Sequence, residues 1–188
     1  MGDGELLLAV RRGDPGAWDA LADRFVGRVW AVARAHRLSN ADAEDVSQVT
    51  WLRLVTHIDT IREPDRVGAW LATTARHECL RLLRKAGREL PVEEESDLEP
   101  AGAVVVPPET RLLTEERDVA LWAALAQLSP KCQRLLRMLM ADPEPSYLEV
   151  GAALGMAIGS IGPTRQRCLA HLRTRIARIT DDDEGSSE

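Results

Sequence analysis

The sequence predicts an all-α protein built from two small helical domains that are joined by a flexible acidic linker. Hydrophobic residues make up 45% of the 188 residues but aromatic residues only 4%, and the apolar set is mostly Ala, Leu, Val and Ile. Apolar residues recur every three or four positions along most of the chain, as the buried face of a helix requires. Alternating runs of β-branched and aromatic residues, which are typical of strands, are scarce.

The amino-terminal domain is predicted over residues 5–87 as a bundle of helices. Asp14 and Pro15 are expected to open the second helix, because Asp14 can accept a backbone N–H and proline needs no partner at the first position. Ser39 or Asn40 is expected to cap the third helix, whose early acidic residues suit the positive end of a helix. The second, third and fourth helices are predicted at residues 17–36, 41–58 and 67–85.

A linker, a second domain and a tail are predicted to follow. Residues 88–108 combine an acidic run with glycine and proline, which favours a flexible linker. Helical spacing then resumes, so the second domain is predicted over residues 109–180, where Ser129 and Pro130 open one helix as cap and first residue. The acidic residues 181–188 are predicted to be a disordered tail.

The distribution of charge is uneven. The formal net charge is −6, yet residues 89–110 carry seven acidic and no basic residues, and residues 181–188 carry five acidic and no basic residues. Without these twelve charges the remainder would carry +6. The two most basic stretches are residues 76–88 and 165–178. This distribution, with basic helical domains joined by acidic segments, favours a nucleic-acid-binding protein.

A helix-turn-helix is predicted near the carboxyl end of the chain. Gly155 follows the last apolar residue of a short helix and suits the left-handed conformation that ends a helix. Gly151 is small where the two helices would cross. Ser160 is expected to be the N-cap of the second helix, so that Pro163 falls in its first turn and breaks no hydrogen bond. The inward side of this helix is predicted to hold Ile161, Cys168, Leu169, Leu172 and Ile176.

The sequence argues against several other classes of protein. Cys79, Cys132 and Cys168 are far apart and lack CxxC spacing, so they are expected to be ordinary buried thiols in a reducing compartment, with no metal site. The amino terminus resembles neither a signal peptide nor a membrane span. No catalytic triad, phosphate-binding loop or cofactor motif is present. We therefore expect a cytoplasmic, membrane-free protein that is not an enzyme and binds no cofactor.

Two stretches carry a resemblance to a known family. DAEDVSQVTWLRL and GAWLATTARHECLRLLRK resemble two helices of region 2 of bacterial sigma factors of the extracytoplasmic-function (ECF) type. The stretch from LSPKCQRLLRML to GSIGPTRQRCLAHLR is similar to region 4 of the same family. The resemblance implies a factor that binds core RNA polymerase, places it at a promoter and helps to open the duplex.

The resemblance also implies which residues contact polymerase. The first motif would grip a coiled coil of the largest polymerase subunit, with Trp51 packing beneath, and region 4 would meet the polymerase flap. Val49 departs from the family, which usually has an acid at this position. An alternative reading assigns the early acids of this helix to capping and solvation. The implied polymerase contacts are Asp42, Asp45, Gln48, Val49 and Arg53.

Two further sets would contact promoter DNA. Cations on the fourth helix and in the loop before it would face the minus-ten element, and the implied set is Arg62, Asp65, Arg66, Arg76, His77, Arg81, Arg84 and Lys85. His77 stands where the family often has Asn. The second helix of the helix-turn-helix would read the minus-thirty-five element, because arginine can contact guanine and glutamine can contact adenine. Its implied set is Ser160, Gly162, Pro163, Arg165, Gln166 and Arg167.

Partners follow from the same resemblance. They are core RNA polymerase, promoter DNA and, as a further candidate, an anti-sigma factor. One alternative is a plain helix-turn-helix regulator, which would leave DAEDVSQVTWLRL without a role. Another is a module that binds only an anti-sigma partner and directs no transcription. Binding to core polymerase separates the main hypothesis from the first alternative, and promoter-directed transcription separates it from the second.

Overall fold

The structure is a computed structural model that describes residues 1–87, 116–142 and 144–185. Within these ranges, side chains are described for all residues except 116–120 and 180–185. The predicted linker at residues 88–108 lies outside the described residues.

All regular structure in the described ranges is helical, which confirms the predicted fold class. The chain forms eight α-helices in these ranges, and two short 3-10 turns, Ile58–Thr60 and Pro64–Arg66, lie between the third and the fourth. The α-helices are α1 Asp3–Arg11, α2 Pro15–Ala35, α3 Asn40–His57, α4 Val67–Lys85, α5 Glu116–Ala126, α6 Pro130–Leu139, α7 Tyr147–Leu154 and α8 Ile158–Gly185.

The chain divides into two compact units. Among the described residues, unit 1 contains 1–87, 137–142 and 144–161, and unit 2 contains 116–136 and 162–185. This division differs from the one expected from the sequence, in which residues 109–180 form one domain. The difference arises because α7 packs against α4 in unit 1.

The core of unit 1 follows the helical spacing that the sequence predicts. Leu21, Phe25 and Val29 lie one turn apart on α2 and are all at most 1% exposed. Leu54 of α3 and Leu71 of α4 are buried to the same degree. Each such side chain contributes about 1.5–3 kcal/mol when it is removed from water, so these contacts hold the helices that carry the candidate site.

Local capping signals are confirmed at the start of several helices. Asp14 Oδ1 accepts the Gly16 N–H at 3.1 Å, and Pro15 is the first residue of α2. Ser39, rather than Asn40, caps α3. Pro130 opens α6, with the Ser129 hydroxyl next to its first turn.

The turn between α7 and α8 depends on two glycines, as predicted. Gly155 ends α7 with φ of 71°, a left-handed conformation that glycine adopts without strain. At Gly151 an added Cβ would stand 2.8 Å from the Met156 carbonyl oxygen. Both positions therefore favour glycine, and α8 starts directly after the turn.

The predicted start of α8 is wrong by three residues. The helix begins at Ile158, so Ser160 lies inside its first turn and donates its hydroxyl to the Ala157 carbonyl at 2.7 Å. Pro163 is therefore the sixth helical residue, and its ring is exposed. Serine and proline are strong start signals, but here the chain becomes helical as soon as Gly155 has reversed its direction, at the cost of one hydrogen bond at Pro163.

The end of α8 also differs from the prediction. The helix runs to Gly185, so residues 181–185, which the sequence assigns to a disordered tail, are helical. Residues 164–184 contain neither glycine nor proline. Each added residue of a helix contributes one backbone hydrogen bond, so the helix continues until Gly185.

The prediction that all cysteines are separate thiols is wrong for two of them. Cys132 of α6 and Cys168 of α8 form a disulfide within unit 2, with their Cα atoms 5.3 Å apart. Cys79 is a buried free thiol, as predicted. Thirty-six positions separate the bonded pair, and no local spacing motif could reveal it, since the pairing depends on how α6 meets α8.

Candidate functional site

An outward stripe on α3 is the first part of the candidate site. Asp45, Gln48, Leu52 and Val55, hereafter the α3 stripe, follow one another at three- and four-residue spacing and so share one face. All four are exposed, with Leu52 at 63% and Val55 at 53%. Two large apolar side chains beside an acid and an amide are typical of a face that binds a protein partner.

The other predicted polymerase contacts have different surroundings. Asp42 belongs to the start of α3, where its N–H donates to Ser39 Oγ at 3.1 Å and its carboxylate accepts the Ser39 hydroxyl at 2.8 Å. Val49 is half-buried. Trp51 is also half-buried and meets Trp18 edge to face, with the ring centroids 6.1 Å apart.

Arg53 is held by a carboxylate that the sequence analysis missed. Glu78 of α4 is 2% exposed, and its two oxygens pair with Arg53 Nη2 at 2.5 Å and Arg81 Nε at 2.7 Å. One buried acid thus joins a predicted polymerase contact to a predicted promoter contact. The one available signal was that Glu78 is the sole acidic residue in α4.

Exposed cations line the outward side of α4. His77, Arg81, Arg84 and Lys85 are all exposed and recur at helical spacing, so the structure brings them together. Arg84 also donates to the Leu80 carbonyl at 3.2 Å. This face has the charge and length that suit a nucleic-acid backbone.

The turn before α4 carries the remaining predicted minus-ten residues. Arg62, Asp65 and Arg66 are exposed there, and Arg66 pairs with Glu63 at 2.9 Å. Arg11 of α1, which was not singled out from the sequence, positions this turn. Its guanidinium donates hydrogen bonds to the carbonyl oxygens of Ile58 and Ile61. Both contacts measure 2.6 Å at its Nη2.

Arg76 is separated from the other cations of α4. It is half-buried on the side that faces α7, and a Cβ at Gly155 would stand 2.6 Å from its Nη2. Its Nε is buried without a hydrogen-bond partner among the described residues. The structure therefore places Arg76 against the turn after α7 and not with His77 and Arg81.

Polar contacts hold α7 on α2. Glu149 of α7 pairs with Arg28 of α2 at 2.9 Å, and their side chains are only 7% and 19% exposed. His36 Nε2 lies 3.0 Å from the Ala153 carbonyl oxygen in a buried hydrogen bond. Glu149 also completes a capping box with Ser146 at the start of α7. We call these interactions the α7 contact. Neither Glu149 nor Arg28 was singled out from the sequence, because 121 positions separate them.

Other charged groups lie near the α7 contact. A cavity of about 440 Å³ beside the ion pair is lined in part by Asp65, Arg66 and Glu149. At the end of α6, burial lowers the pKa of Arg137, and the nearby charges of Arg37 and Arg34 lower it further. The cavity therefore brings acidic and basic side chains together beside the ion pair.

The predicted minus-thirty-five residues lie along α8. Arg165, Gln166 and Arg167 are exposed on successive positions, and Pro163 is exposed while Gly162 is half-buried. Thr164 and Cys168 are buried on the opposite side, and Arg167 Nη2 lies 3.5 Å from the Thr164 hydroxyl. Ser160, by contrast, uses its hydroxyl within the first turn of the helix.

The described residues contain no group of three or more His, Cys, Asp or Glu side chains that could hold a metal ion. In the same part of the chain, no helix has both the length and the apolar character needed to cross a bilayer.

Comparison with known proteins identifies the family. Residues 21–89 match sigma-70 region 2. Over 179 residues the chain is 30% identical to the ECF RNA polymerase sigma factor SigM of Mycobacterium tuberculosis, with 94% of this chain and 84% of that protein covered. It is 27% identical over 172 residues to ECF sigma factor SigE of Mycolicibacterium smegmatis, where 91% of this chain spans 66% of the relative.

Solved structures of sigma factors share the fold. CnrH, solved in complex with the cytosolic domain of CnrY, is 20% identical and superposes with a TM-score of 0.60 over 96% of this chain and 98% of that one. The sigma factor RpoE of Bartonella quintana, solved with the anti-sigma factor NepR, is 23% identical with a TM-score of 0.58 over 85% of this chain and 96% of that one. Sequence and fold agree, and the chain belongs to the ECF type of RNA polymerase sigma factors.

Proposed function

We propose that this sigma factor binds core RNA polymerase through the α3 stripe and directs it to promoters. In this proposal, the outward cations of α4 and the turn before it contact the minus-ten element. Residues 162–167 of α8 contact the minus-thirty-five element. The protein acts by binding and positioning rather than by catalysing a reaction, and it works in the cytoplasm, where polymerase works.

The α3 stripe is the observation that carries the proposal. Leu52 and Val55 leave a large part of their apolar surface in water, although a single-chain protein would gain by burying it. Their spacing offers a flat apolar strip to one partner helix, with Asp45 and Gln48 continuing the same face. A partner helix with apolar and basic residues, such as one from a coiled coil, fits this surface.

The promoter contacts rest on charge and exposure. His77, Arg81, Arg84 and Lys85 form one cationic face that suits the phosphates of a displaced strand. On α8, Arg165 and Gln166 are free to reach base edges, since the buried side of the helix is occupied by Thr164 and Cys168. The two surfaces account for both halves of a bipartite promoter.

Binding to an anti-sigma factor is a second candidate function. The solved RpoE of Bartonella quintana is bound to the anti-sigma factor NepR, and CnrH is bound to the cytosolic domain of CnrY. In this chain, Tyr147 and Leu148 at the start of α7 and Met140 just after α6 are exposed apolar residues that suit a protein partner. Such a partner would be recovered as a stable complex that directs no transcription.

Run-off transcription with purified core polymerase on fragmented genomic DNA tests the proposal. Mapped start sites should share a pair of upstream sequence elements, and omission of the protein should abolish them. A native gel should show the protein migrating with core polymerase. If it binds DNA but never migrates with core polymerase, the protein is a helix-turn-helix regulator and the proposal is wrong.

A further inference from the structure

The disulfide of unit 2 lies next to the residues proposed to read DNA. Cys168 directly follows Arg167 on α8, and it lies one turn after Thr164 on the buried side of that helix. Its partner Cys132 is the third residue of α6. The bond therefore fixes α8 to the start of α6 at the point where the exposed Arg165–Arg167 segment ends.

The two bonded cysteines differ from the third cysteine. Cys79 is buried in unit 1, and burial raises the pKa of its thiol to about 12, so it stays protonated and unreactive. Cys132 is 8% exposed, in the first turn of a helix whose positive end favours a thiolate. Cys168 is fully buried against it.

A disulfide is unusual in the compartment where RNA polymerase works. Glutathione and thioredoxin keep most cytosolic thiols reduced, and cytosolic disulfides are usually transient, catalytic or redox-sensing. A bond between the helix proposed to bind DNA and its neighbour would thus be broken and formed as the redox state of the cell changes.

We propose that Cys132 and Cys168 form a reversible redox pair that adjusts the affinity of α8 for promoter DNA. This inference rests on the proposed function, because it assumes that α8 contacts the promoter. In the oxidised form the crosslink holds α8 in its binding position, so less conformational freedom is lost on binding. In the reduced form α8 is held by non-covalent packing alone, and the affinity falls.

The chemistry is thiol–disulfide exchange with a low-molecular-weight disulfide such as oxidised glutathione. The Cys132 thiolate, the more accessible of the two, attacks one sulfur of the reagent and releases one thiolate, leaving a mixed disulfide. The Cys168 thiolate then attacks the Cys132 sulfur and releases the second thiolate. Two protein thiols lose two electrons and two protons, and two molecules of the small thiol are formed.

The test uses the full chain with core polymerase in glutathione buffers of graded redox poise. Free thiols are trapped by alkylation and assigned by mass spectrometry, while binding to a fluorescent promoter fragment is measured by anisotropy. We expect Cys132 and Cys168 to be protected together as the buffer becomes oxidising. The reduced form should bind the promoter about three- to tenfold more weakly, because it must order α8 on binding.

Two variants complete the experiment. The double variant Cys132→Ser/Cys168→Ser should bind the promoter fragment as weakly as the reduced wild-type protein in every glutathione buffer. The Cys79→Ala variant should keep the full redox response of the wild-type protein. Hydrogen exchange of α8 in the wild-type protein gives a readout that does not depend on folding of the variants, and its protection should rise on oxidation.

Each contrary result has a distinct meaning. If the two thiols never pair in the folded protein, or if they pair while promoter binding stays the same, the proposed redox pair is wrong. If neither redox form binds the promoter with polymerase although the thiols still pair, the proposed function itself fails, and with it the regulation of α8.

Discussion

The α3 stripe and the α7-facing side of α4 offer an informative contrast. Both carry residues that the family resemblance assigns to partners, yet Leu52 and Val55 face solvent while Arg76 lies against Gly155. The α3 stripe can therefore meet a partner helix without any rearrangement of unit 1. The side of α4 that bears Arg76 is partly covered by the turn after α7.

The chemistry of the α7 contact differs from that of the surrounding core. Arg28–Glu149 is an ion pair and His36–Ala153 a hydrogen bond, whereas α2 packs in the core through Leu21, Phe25 and Val29. Buried ion pairs cost desolvation energy and often add less net stability than apolar packing of the same volume. These polar contacts add to the apolar packing of α7, whose Val150, Ala153 and Leu154 are buried.

Removal of Glu149 should have the largest effect on this contrast. Glu149→Ala leaves Arg28 with a buried, unpaired charge, so we expect the free energy of unfolding to fall by about 3 kcal/mol. Urea denaturation measures it, and hydrogen exchange should localise the change to α7. Glu44→Ala, an exposed acid on α3, is the matched control and should change stability by less than about 0.5 kcal/mol. Equal values for the two variants would contradict the role of the α7 contact.

Neutralisation of Glu78 tests the link between α3 and α4. Glu78→Gln weakens two ion pairs at once, but Arg53 and Arg81 are about half exposed and water screens their share. We therefore expect a loss of about 1–2 kcal/mol in the free energy of unfolding. Glu63→Gln removes the exposed pair with Arg66 and should have almost no effect on the free energy of unfolding. If Glu63→Gln lowered the free energy of unfolding as much as Glu78→Gln, the burial of Glu78 would not explain its effect.

Removal of the capping serine of α7 should have a smaller effect on stability. Ser146→Ala removes the hydroxyl that accepts the Glu149 N–H, which we expect to lower the free energy of unfolding by about 1 kcal/mol. Ser160→Ala is the control, because that hydroxyl bonds within the first turn of α8 and caps nothing. Thermal denaturation of both variants makes the comparison. A greater loss of stability for Ser160→Ala than for Ser146→Ala would indicate that Ser160 caps α8, as the sequence predicts.

Cys79 should report whether the covered side of α4 stays closed. It lies one turn after Arg76, and its pKa of about 12 keeps it protonated near neutral pH, so iodoacetamide should leave it unmodified at pH 8 in the native protein. The raised pKa stabilises the fold below about pH 9, and this contribution should be lost as the pH rises from about 9 towards 12. Mass spectrometry after alkylation measures the labelling, with urea-unfolded protein as the positive control. Labelling within minutes at pH 8 would show that α4 opens readily.

Local signals in the sequence predicted local features of the fold well. Asp14, Ser146 and Gly155 act on backbone groups within a few residues, so their roles could be predicted without any tertiary information. The start of α8 was misplaced because Ser160 and Pro163 offer the same signals as a true helix start. The chain is already helical before Ser160, because Gly155 reverses its direction and α8 begins at Ile158.

The parts of the site that could not be predicted depend on distant partners. Glu149 finds Arg28 across 121 positions, and Cys132 meets Cys168 across 36. Glu78 could be seen as an isolated acid in a basic helix, but its two arginines become neighbours only when α3 packs on α4. Periodicity predicts which face of a helix is buried but not which other helix covers that face. The packing of α7 against α4 could therefore not be predicted from the sequence.

Affinity for core RNA polymerase tests the central claim most directly. Leu52→Glu places a charge in the middle of the α3 stripe, and we expect it to raise the dissociation constant about 30-fold, or about 2 kcal/mol. Val26→Glu, at a 41% exposed apolar position on α2, should leave it unchanged. Matching constants for the Leu52→Glu variant and the wild-type protein, with both proteins folded, would contradict the assignment of α3 as the polymerase-binding helix.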